Sequence, residues 1–320
     1  MDSLTAVNIR QVIPPFLQQR LRDYLASSLL ADNLPPVRHH VITQIDSFSQ
    51  LVSLCHSGKP VLYKKRNTLS LLFDVFALQS EMRLDAPDEL MLGYTQTMIG
   101  FLLFDPNPAR VGMIGLGGGS LAKFCHRHLP ATSIEVAEID PAVIALRDYF
   151  HIPRDEQRLQ IHCMDGADFI KRASQRFDVI LVDGFDRQGQ PPQLCSQSFY
   201  EDCRRALTGN GLLVVNLLGD SHEMQDCIER LHRAFDGAVV IVDALDSLNK
   251  IVFAGKGRVL DASDAEILAQ AAELRQKCPV IMDIIARNIL LQRNAVKLPN
   301  DDRLFPIIEH EAQSDTTTPT

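Results

Sequence analysis

The sequence predicts an α/β fold: a doubly wound, mostly parallel sheet with a small N-terminal α+β region and C-terminal helices. Two observations carry this prediction. Between residues 106 and 255, short apolar runs alternate with segments that have the apolar spacing of helices. The first of these runs stops at a glycine-rich turn, and doubly wound sheets bind their ligands at such turns.

The apolar runs of this central region are the predicted strands. They lie at 111–115, 134–139, 159–163, 178–182, 212–218, 238–242 and 251–254. Helical patterns separate the first five runs, so we expect parallel strands joined by crossover helices. The last two runs are joined only by "DALDSLNK", which is too short for a crossover helix. The sheet is therefore expected to end in an antiparallel hairpin.

Three predicted helices of this region begin after residues that favour helix starts. Asp140 precedes Pro141, which combines a capping side chain with a proline at the first helical position. Ser196 precedes "QSFYEDCRRAL", and Asp220 precedes "SHEMQDCIERLHRAF". We expect these three helices to begin directly after these residues.

The regions on either side of the central domain add smaller units. Residues 1–105 contain a helical pattern, "PPFLQQRLRDYLASSLLA", two strand patterns, "PVLYKK" and "TLSLLFDVFAL", and a second helical pattern, "DELMLGYTQTMIGFLLF". Residues 256–310 contain two further helical patterns, "DAEILAQAAELRQK" and "VIMDIIARNILLQR". The polar residues 311–320 are expected to be disordered. The predicted organisation is thus an N-terminal region, a central domain over 106–255, C-terminal helices and a tail.

The composition is that of an ordinary globular protein, with 46% hydrophobic and 22% charged residues. A net charge of −8 without a long basic run argues against a nucleic-acid partner. No apolar stretch approaches the length of a membrane span, and the first residues lack the pattern of a secretory signal. The seven scattered cysteines predict reduced thiols in a cytoplasmic protein, and their spacing suggests no metal site.

The glycine turn follows the first predicted strand and contains Gly115, Gly117, Gly118 and Gly119. Glycine tolerates positive φ and lets a ligand approach the backbone closely. The helix that follows presents unpaired N–H groups at the same place. A tight turn without a ligand is the alternative. Ser120 stands where the dinucleotide fingerprint has its third glycine, which argues against NAD(P), and the lysine of a Walker loop is absent.

Acidic residues stand at the ends of the next three predicted strands. Glu138 ends the second strand and is placed to accept hydrogen bonds from both hydroxyls of a ribose. Asp165, followed by Gly166, ends the third strand and is placed for an adenine amino group. Asp183 ends the fourth strand, and Asp186 follows three residues later. Each of these could instead be a helix cap or a turn former, but together they predict a nucleoside bound through ribose and adenine.

From about residue 70 to residue 255, the sequence resembles the spermidine synthases, or polyamine aminopropyltransferases, which share the Rossmann-like fold of AdoMet methyltransferases. "VGMIGLGGGSL" resembles the Gly-Gly-Gly-Asp-Gly loop of that family, "EVAEIDPAVI" its ribose-binding strand and "DGADFI" its adenine contact. "FDVILVDGFDRQGQPPQLCSQSFYEDCRRAL" resembles its catalytic Asp-Ser-Ser-Asp-Pro segment, and "LNKIVFAG" its late hairpin. The resemblance implies a donor, decarboxylated AdoMet, an amine or polyamine acceptor, and a homodimer.

The resemblance also implies a role for each candidate residue. Asp183 corresponds to the catalytic aspartate, which holds and deprotonates the attacking amine, and Asp186 would help to position a cationic amine. The nucleoside would be held by Glu138, Asp165 and Gly166. The aminoalkyl-sulfonium arm would be lined by Gly115, Gly117, Gly118 and Gly119.

The sequence departs from the family pattern mainly on the acceptor side. Gly118 stands where the family has the loop aspartate that meets the donor's amine. Tyr94 is the substrate contact expected on the helix before the first strand, where the acidic residue of the family's Tyr-His-Glu is missing. Gly184 and Phe185 replace two serines of the catalytic segment, and Arg187 replaces its proline.

Three functions remain open from the sequence. The first is an aminopropyltransferase acting on an amine, which rests on Asp183, Asp186 and the resemblance over the whole domain. The second is an AdoMet-dependent methyltransferase of the same fold, which rests on Gly118 because AdoMet's own carboxylate would be repelled by a loop aspartate. The third is a nucleoside-binding protein without catalysis, against which the retained acidic residues argue.

Overall fold

The computed structural model describes residues 60–74, 77–186, 189–219, 221–245 and 247–295. The predicted helix "PPFLQQRLRDYLASSLLA", the tail at 311–320 and Arg187 lie outside these residues. Within the described ranges, no helix combines the length and the hydropathy needed to cross a membrane.

A small antiparallel sheet precedes the central domain. Its strands are β1 (Val61–Lys65), β2 (Thr68–Asp74) and β3 (Ala77–Arg83), in that order across the sheet. The prediction of one strand over "TLSLLFDVFAL" is wrong, because this segment contributes to two antiparallel strands, with Asp74 paired to Ala77. The apolar pattern continues from β2 into β3, so it does not show where the chain reverses.

The seven-stranded sheet at the centre of the molecule follows the predicted alternation. Its strands are β4 (Arg110–Ile114), β5 (Ser133–Glu138), β6 (Leu159–Cys163), β7 (Phe177–Val182), β8 (Leu207–Leu218), β9 (Val239–Asp243) and β10 (Asn249–Gly255). They lie in the order β6-β5-β4-β7-β8-β10-β9. β4 to β8 are parallel, whereas β10 is antiparallel to both of its neighbours, which confirms the predicted hairpin. The strand order reverses at β4, between β5 and β7.

Helices cover both faces of this sheet. In the described residues they are α1 (Gly93–Met98), α2 (Ser120–His128), α3 (Pro141–Ile144), α4 (Gly166–Lys171), α5 (Gln197–Ala206), α6 (His222–Ala234), α7 (Asp264–Lys277) and α8 (Met282–Ala295). Short 3₁₀ turns lie at Ile99–Leu103, Pro192–Leu194 and Val259–Asp261. Apolar side chains of α2, α7 and α8 belong to the core on one face, and those of α4, α5 and α6 to the core on the other.

Local capping explains where several of these helices begin. Asp140 accepts a hydrogen bond from the backbone N–H two residues later at 2.8 Å, and Ser196 accepts one from the N–H three residues later at 3.1 Å. Helix α6 is capped by Ser221 rather than directly by the predicted Asp220, which lies outside the described residues. Aspartate and serine are both good caps, so the sequence does not decide between two adjacent candidates.

Candidate active site

A cavity of about 210 Å³ lies at the carboxyl ends of β4, β5 and β7, where the strand order reverses. Doubly wound sheets bind their ligands at this place. Eight of the predicted site residues line the cavity, namely Tyr94, Gly115, Gly117, Glu138, Asp165, Gly166, Asp183 and Asp186. Two other predicted residues, Gly118 and Gly119, lie beside the cavity without lining it.

The glycine turn after β4 has a backbone that other residues adopt poorly. Gly115, Gly117 and Gly119 have positive φ values of 90°, 51° and 68°. A Cβ at Gly115 would lie 2.2 Å from the carbonyl oxygen of Asp183, so the two strand ends approach too closely for a side chain. Gly119 precedes α2 in the left-handed conformation. The turn therefore requires glycine at these positions for its own closure, with or without a ligand.

Gly118 is constrained by its neighbours rather than by its backbone angles. Its N–H donates to the hydroxyl of Ser80 on β3 at 2.9 Å. A Cβ at this position would lie 2.8 Å from the Cβ of Ser80 and 2.9 Å from the ring of Phe150. The space that a side chain would need is thus already filled, and an aspartate at this position does not fit the arrangement.

Glu138, the last residue of β5, holds the glycine turn in place. Its Oε2 accepts a hydrogen bond from the N–H of Leu116 at 2.8 Å, and its Oε1 accepts one from the N–H of Asp140 at 2.8 Å. Burial raises the pKa of Glu138, and these backbone hydrogen bonds oppose the rise. Because a carboxylate offers about four acceptor positions, Glu138 keeps capacity for a ligand hydroxyl.

Asp165 and Gly166 have local structural roles as well as a place in the cavity wall. One oxygen of Asp165 caps α4 by accepting from the N–H of Ala167 at 2.7 Å, and the other accepts from Nε2 of Gln193 at 3.1 Å. A Cβ at Gly166 would lie 2.3 Å from the side chain of Ile114. Glycine is therefore needed here for the close packing of α4 against β4.

Asp183 follows the last residue of β7 and has two side-chain partners. The Tyr94 hydroxyl lies 3.2 Å from its Oδ2, and Nδ2 of Asn216 donates to its Oδ1 at 2.8 Å. Burial raises the pKa of Asp183 to about 6, while the bonds from Asn216 and Tyr94 oppose the rise. Burial and the charge of Asp183 together raise the pKa of Tyr94. A carboxyl group that titrates this close to neutral pH is suited to accept a proton from a bound ligand.

Asp186 lies at the exposed edge of the cavity, in the segment that follows β7. Its backbone N–H donates to the carbonyl of Gly189 at 2.8 Å. In the part of the chain that the structure describes, no cluster of three or more His, Cys, Asp or Glu side chains is arranged to hold a metal ion.

Several polar residues in or beside the cavity wall were not predicted from the sequence, among them Ser80, Gln193 and Asn216. Asn216 does have a sequence signal, since it is the polar residue within the apolar run "LLVVNLL". Ser80 and Gln193 stand in segments of mixed composition, where a polar residue is unremarkable. Only the tertiary structure brings β3 to the glycine turn and the 3₁₀ turn at Pro192–Leu194 to α4.

Comparison with known sequences finds a matching sequence profile and related proteins. The sequence profile described as "Spermine/spermidine synthase domain" matches residues 91–248. A polyamine aminopropyltransferase of Chromobacterium violaceum is 39% identical over 189 residues, which cover 59% of this chain and 72% of that relative. An eEF1A lysine and N-terminal methyltransferase of Xenopus laevis is 29% identical over 202 residues, which cover 57% of this chain but 29% of that relative.

Comparison with solved structures supports the fold. A spermidine synthase whose crystal structure contains the transition-state analogue AdoDATO aligns with a TM-score of 0.57 and 18% sequence identity, covering 74% of this chain and 83% of that one. At this identity the likeness concerns the fold, and it agrees with the predicted Rossmann-like sheet.

Proposed function

The chain belongs to the spermine/spermidine synthase family of transferases, and we propose that it transfers an aminopropyl group from decarboxylated AdoMet to an amine or polyamine. The observation that carries this proposal is the carboxylate of Asp183. It lies in the cavity at the end of β7, between Tyr94 and Asn216, with a pKa raised to about 6 by burial.

The charge of the cavity wall supports a cationic donor and acceptor. Glu138, Asp165, Asp183 and Asp186 line it, and no Lys, Arg or His is among its described lining residues. A sulfonium compound and an alkylamine both carry positive charge, so this wall attracts them. A phosphate-bearing ligand would be repelled by the same carboxylates.

The residues at the ends of β5 and β6 are suited to the nucleoside of the donor. Glu138 has acceptor capacity for ribose hydroxyls, and Asp165 can accept from an adenine amino group. Beside Glu138 and Asp165, the glycine turn presents backbone atoms that no side chain covers. We assign Gly115 and Gly117 to the sulfonium arm because they line the cavity between Glu138 and Asp183.

Asp183 is assigned as the base of the transfer. The attacking amine must be neutral, since a protonated nitrogen has no lone pair. Its nitrogen forms a bond to the carbon beside the sulfonium sulfur, the C–S bond breaks, and the electron pair of that bond returns to sulfur. The proton that the nitrogen loses goes to the ionised carboxylate of Asp183. Asp186, at the exposed edge of the cavity, and Tyr94, beside Asp183, are assigned to the amine acceptor.

The test compares two aspartates on the purified full chain. Decarboxylated AdoMet is supplied with a set of diamines and polyamines, and methylthioadenosine is quantified. Asp183→Asn keeps size and shape but takes no proton, so turnover should fall by roughly 10²–10⁴-fold, the usual contribution of a general base. Donor affinity should change much less, because Glu138 and Asp165 are intact.

The control is Asp168→Asn, which changes an exposed aspartate on α4 outside the cavity wall. Near-normal turnover of Asp183→Asn would contradict the assignment.

One observation favours the second candidate, an AdoMet-dependent methyltransferase. Gly118 offers no loop carboxylate that would repel the carboxylate of AdoMet, and Ser80 and Phe150 fill the space that a side chain there would need. Titration calorimetry with AdoMet, decarboxylated AdoMet and methylthioadenosine separates the two candidates. Aminopropyl transfer requires tighter binding of decarboxylated AdoMet, whereas preference for AdoMet together with release of S-adenosylhomocysteine would establish methyl transfer.

A further inference from the structure

Two asparagines connect the interior of the sheet to the carboxylate of Asp183. Asn216 lies in the apolar part of β8 and is 1% exposed, and Asn249 begins β10 and is 8% exposed. The strands are antiparallel, and Asn216 is paired with Ile251. Asn249 precedes Ile251 by two residues, so both asparagines project from the same face as diagonal neighbours.

The hydrogen bonds between these residues run in one direction. Nδ2 of Asn249 donates to Oδ1 of Asn216 at 2.8 Å. Nδ2 of Asn216 then donates to Oδ1 of Asp183 at 2.8 Å. A side-chain amide accepts only through its oxygen and donates only through its nitrogen. Because Asn249 occupies the oxygen of Asn216, the N–H group of Asn216 is the end that faces Asp183.

Side-chain packing alone does not explain why asparagines occupy positions 216 and 249. Along the same face of β8, Asn216 follows the fully buried Leu212 and Val214 and precedes Leu218, which is 55% exposed. A buried amide in such surroundings is costly unless both of its ends are bonded. An apolar residue would pack there without this requirement. An apolar residue could not provide the hydrogen bond that the Asn216 amide, held in one orientation, donates to Asp183.

We infer that Asn249 and Asn216 form an amide relay that positions the Asp183 carboxylate for the reaction. This inference rests on the proposed function. Asn249 fixes the orientation of the Asn216 amide, and Asn216 holds Oδ1 of Asp183 while Oδ2 remains beside Tyr94. Both asparagines are positioning residues, since neither is among the residues that line the cavity.

The direction of the effect follows from the groups that face Asp183. Tyr94 contacts it from α1, and the carboxylates of Glu138, Asp165 and Asp186 line the same cavity. A donated N–H bond stabilises the ionised carboxylate, whereas burial and like charges favour the protonated form. Removing the relay should therefore move the titration of Asp183 to higher pH.

The test follows the titration of Asp183 directly, without substrate. Infrared difference spectra of the full chain are recorded across pH, and the protonated carboxyl band of Asp183 is identified by its absence in Asp183→Asn. Asn216→Leu should raise the titration midpoint by roughly one to two pH units, the effect of losing a hydrogen bond to a charged group. Asn249→Leu should raise it by less, because Asn216 then turns freely. Thr97→Val, which removes a buried hydrogen bond from Thr97 to Gly93 in α1, is the control and should leave the midpoint unchanged.

Turnover provides the second readout. With saturating amine and donor, the acid limb of the turnover profile should move to higher pH in both asparagine variants, and KM for the donor should stay near that of the wild type. An unchanged infrared midpoint in Asn249→Leu would overturn the relay, even in an active enzyme. If Asn216→Leu does not fold, the infrared midpoint of Asn249→Leu alone decides whether the relay acts on Asp183. A shifted midpoint in a protein without aminopropyl transfer would support the relay while the proposed function fails.

Discussion

At the scale of single residues, Asp183 shows a conflict between stability and chemistry. Its carboxylate lies partly buried in the cavity wall, and burial raises its pKa from 3.8 to about 6. The folded state therefore carries an ionised group at neutral pH in a place that disfavours ionisation. Burying this carboxylate does not stabilise the folded state, but it gives the protein a base whose pKa lies near neutral pH.

Asp183→Asn should make the protein more stable at neutral pH while it loses turnover. Since folding raises the pKa of this acid, the folded state binds more protons than the unfolded state between pH 3.8 and about 6. Stability therefore falls as pH rises through this window, and the full penalty, about 1–3 kcal/mol, applies above it. Urea unfolding at pH 7 should show Asp183→Asn more stable than the wild type by about this amount. The difference should disappear near pH 3, and a variant that is less stable at pH 7 would contradict this account.

Gly118→Asp, which restores the residue found in the family loop, should impair the protein instead of improving it. The new Cβ would meet Ser80 and Phe150 at 2.8 and 2.9 Å. Overpacking of this kind costs about 1–3 kcal/mol, so the variant should unfold more easily and bind either AdoMet form more weakly. Gly209→Ala is the control, since a Cβ there meets nothing within 4 Å. A stable Gly118→Asp that gains affinity for decarboxylated AdoMet would show that Ser80 and Phe150 move aside.

At the scale of secondary-structure elements, the C-terminal helices complete one face of the central sheet. Helix α8 places Ile285 and Ile289, both fully buried, in the core that also contains the 3₁₀ turn at Ile99–Leu103. A Cβ at Gly100 in that turn would lie 2.8 Å from Ile285, so the two elements are in direct contact. This turn follows α1, which carries Tyr94, and α8 therefore supports the element that holds an assigned site residue.

Two adjacent isoleucines of α8 allow a matched test of this packing. Ile285 is 0% exposed, whereas Ile284 is 45% exposed. Ile285→Ala should lower the free energy of unfolding by about 2–5 kcal/mol, as expected for a cavity in a packed core. Ile284→Ala should change it by less than about 1 kcal/mol. Chemical denaturation of both variants decides the point, and equal losses would mean that α8 is not anchored through Ile285.

At the scale of the whole molecule, the cavity is built from parts far apart in the sequence. Gln79 and Ser80 come from the N-terminal sheet, Tyr94 from α1, and the acidic residues from the ends of β5 to β7. A ligand in this cavity would contact the N-terminal sheet and the central sheet together. The homodimer implied by the family resemblance stays a prediction, which sedimentation velocity of the full chain would test.

Methylthioadenosine should therefore stabilise the whole chain. At about 100 times its Kd, a ligand that binds only the folded state adds about 2.7 kcal/mol. Glu138→Gln keeps the size of the side chain but removes its charge, and it should weaken binding by about 1.5–3 kcal/mol. The exposed Glu201→Gln on α5 is the control. Thermal unfolding with and without ligand checks this, and equal ligand stabilisation of Glu138→Gln would remove Glu138 from the nucleoside site.

The sequence by itself determined the alternation of strands and helices, the glycine turn and the acidic strand ends. These depend on local apolar period and on residue types with special backbone or charge, which can be recognised along the chain. Only the tertiary structure decided the reversal between β2 and β3, the contact of Ser80 with the glycine turn, and the chain of bonds from Asn249 through Asn216 to Asp183. The last two features join residues 33 to 38 positions apart, so strand pairing and sheet order create them, and no local pattern records which distant side chains will meet.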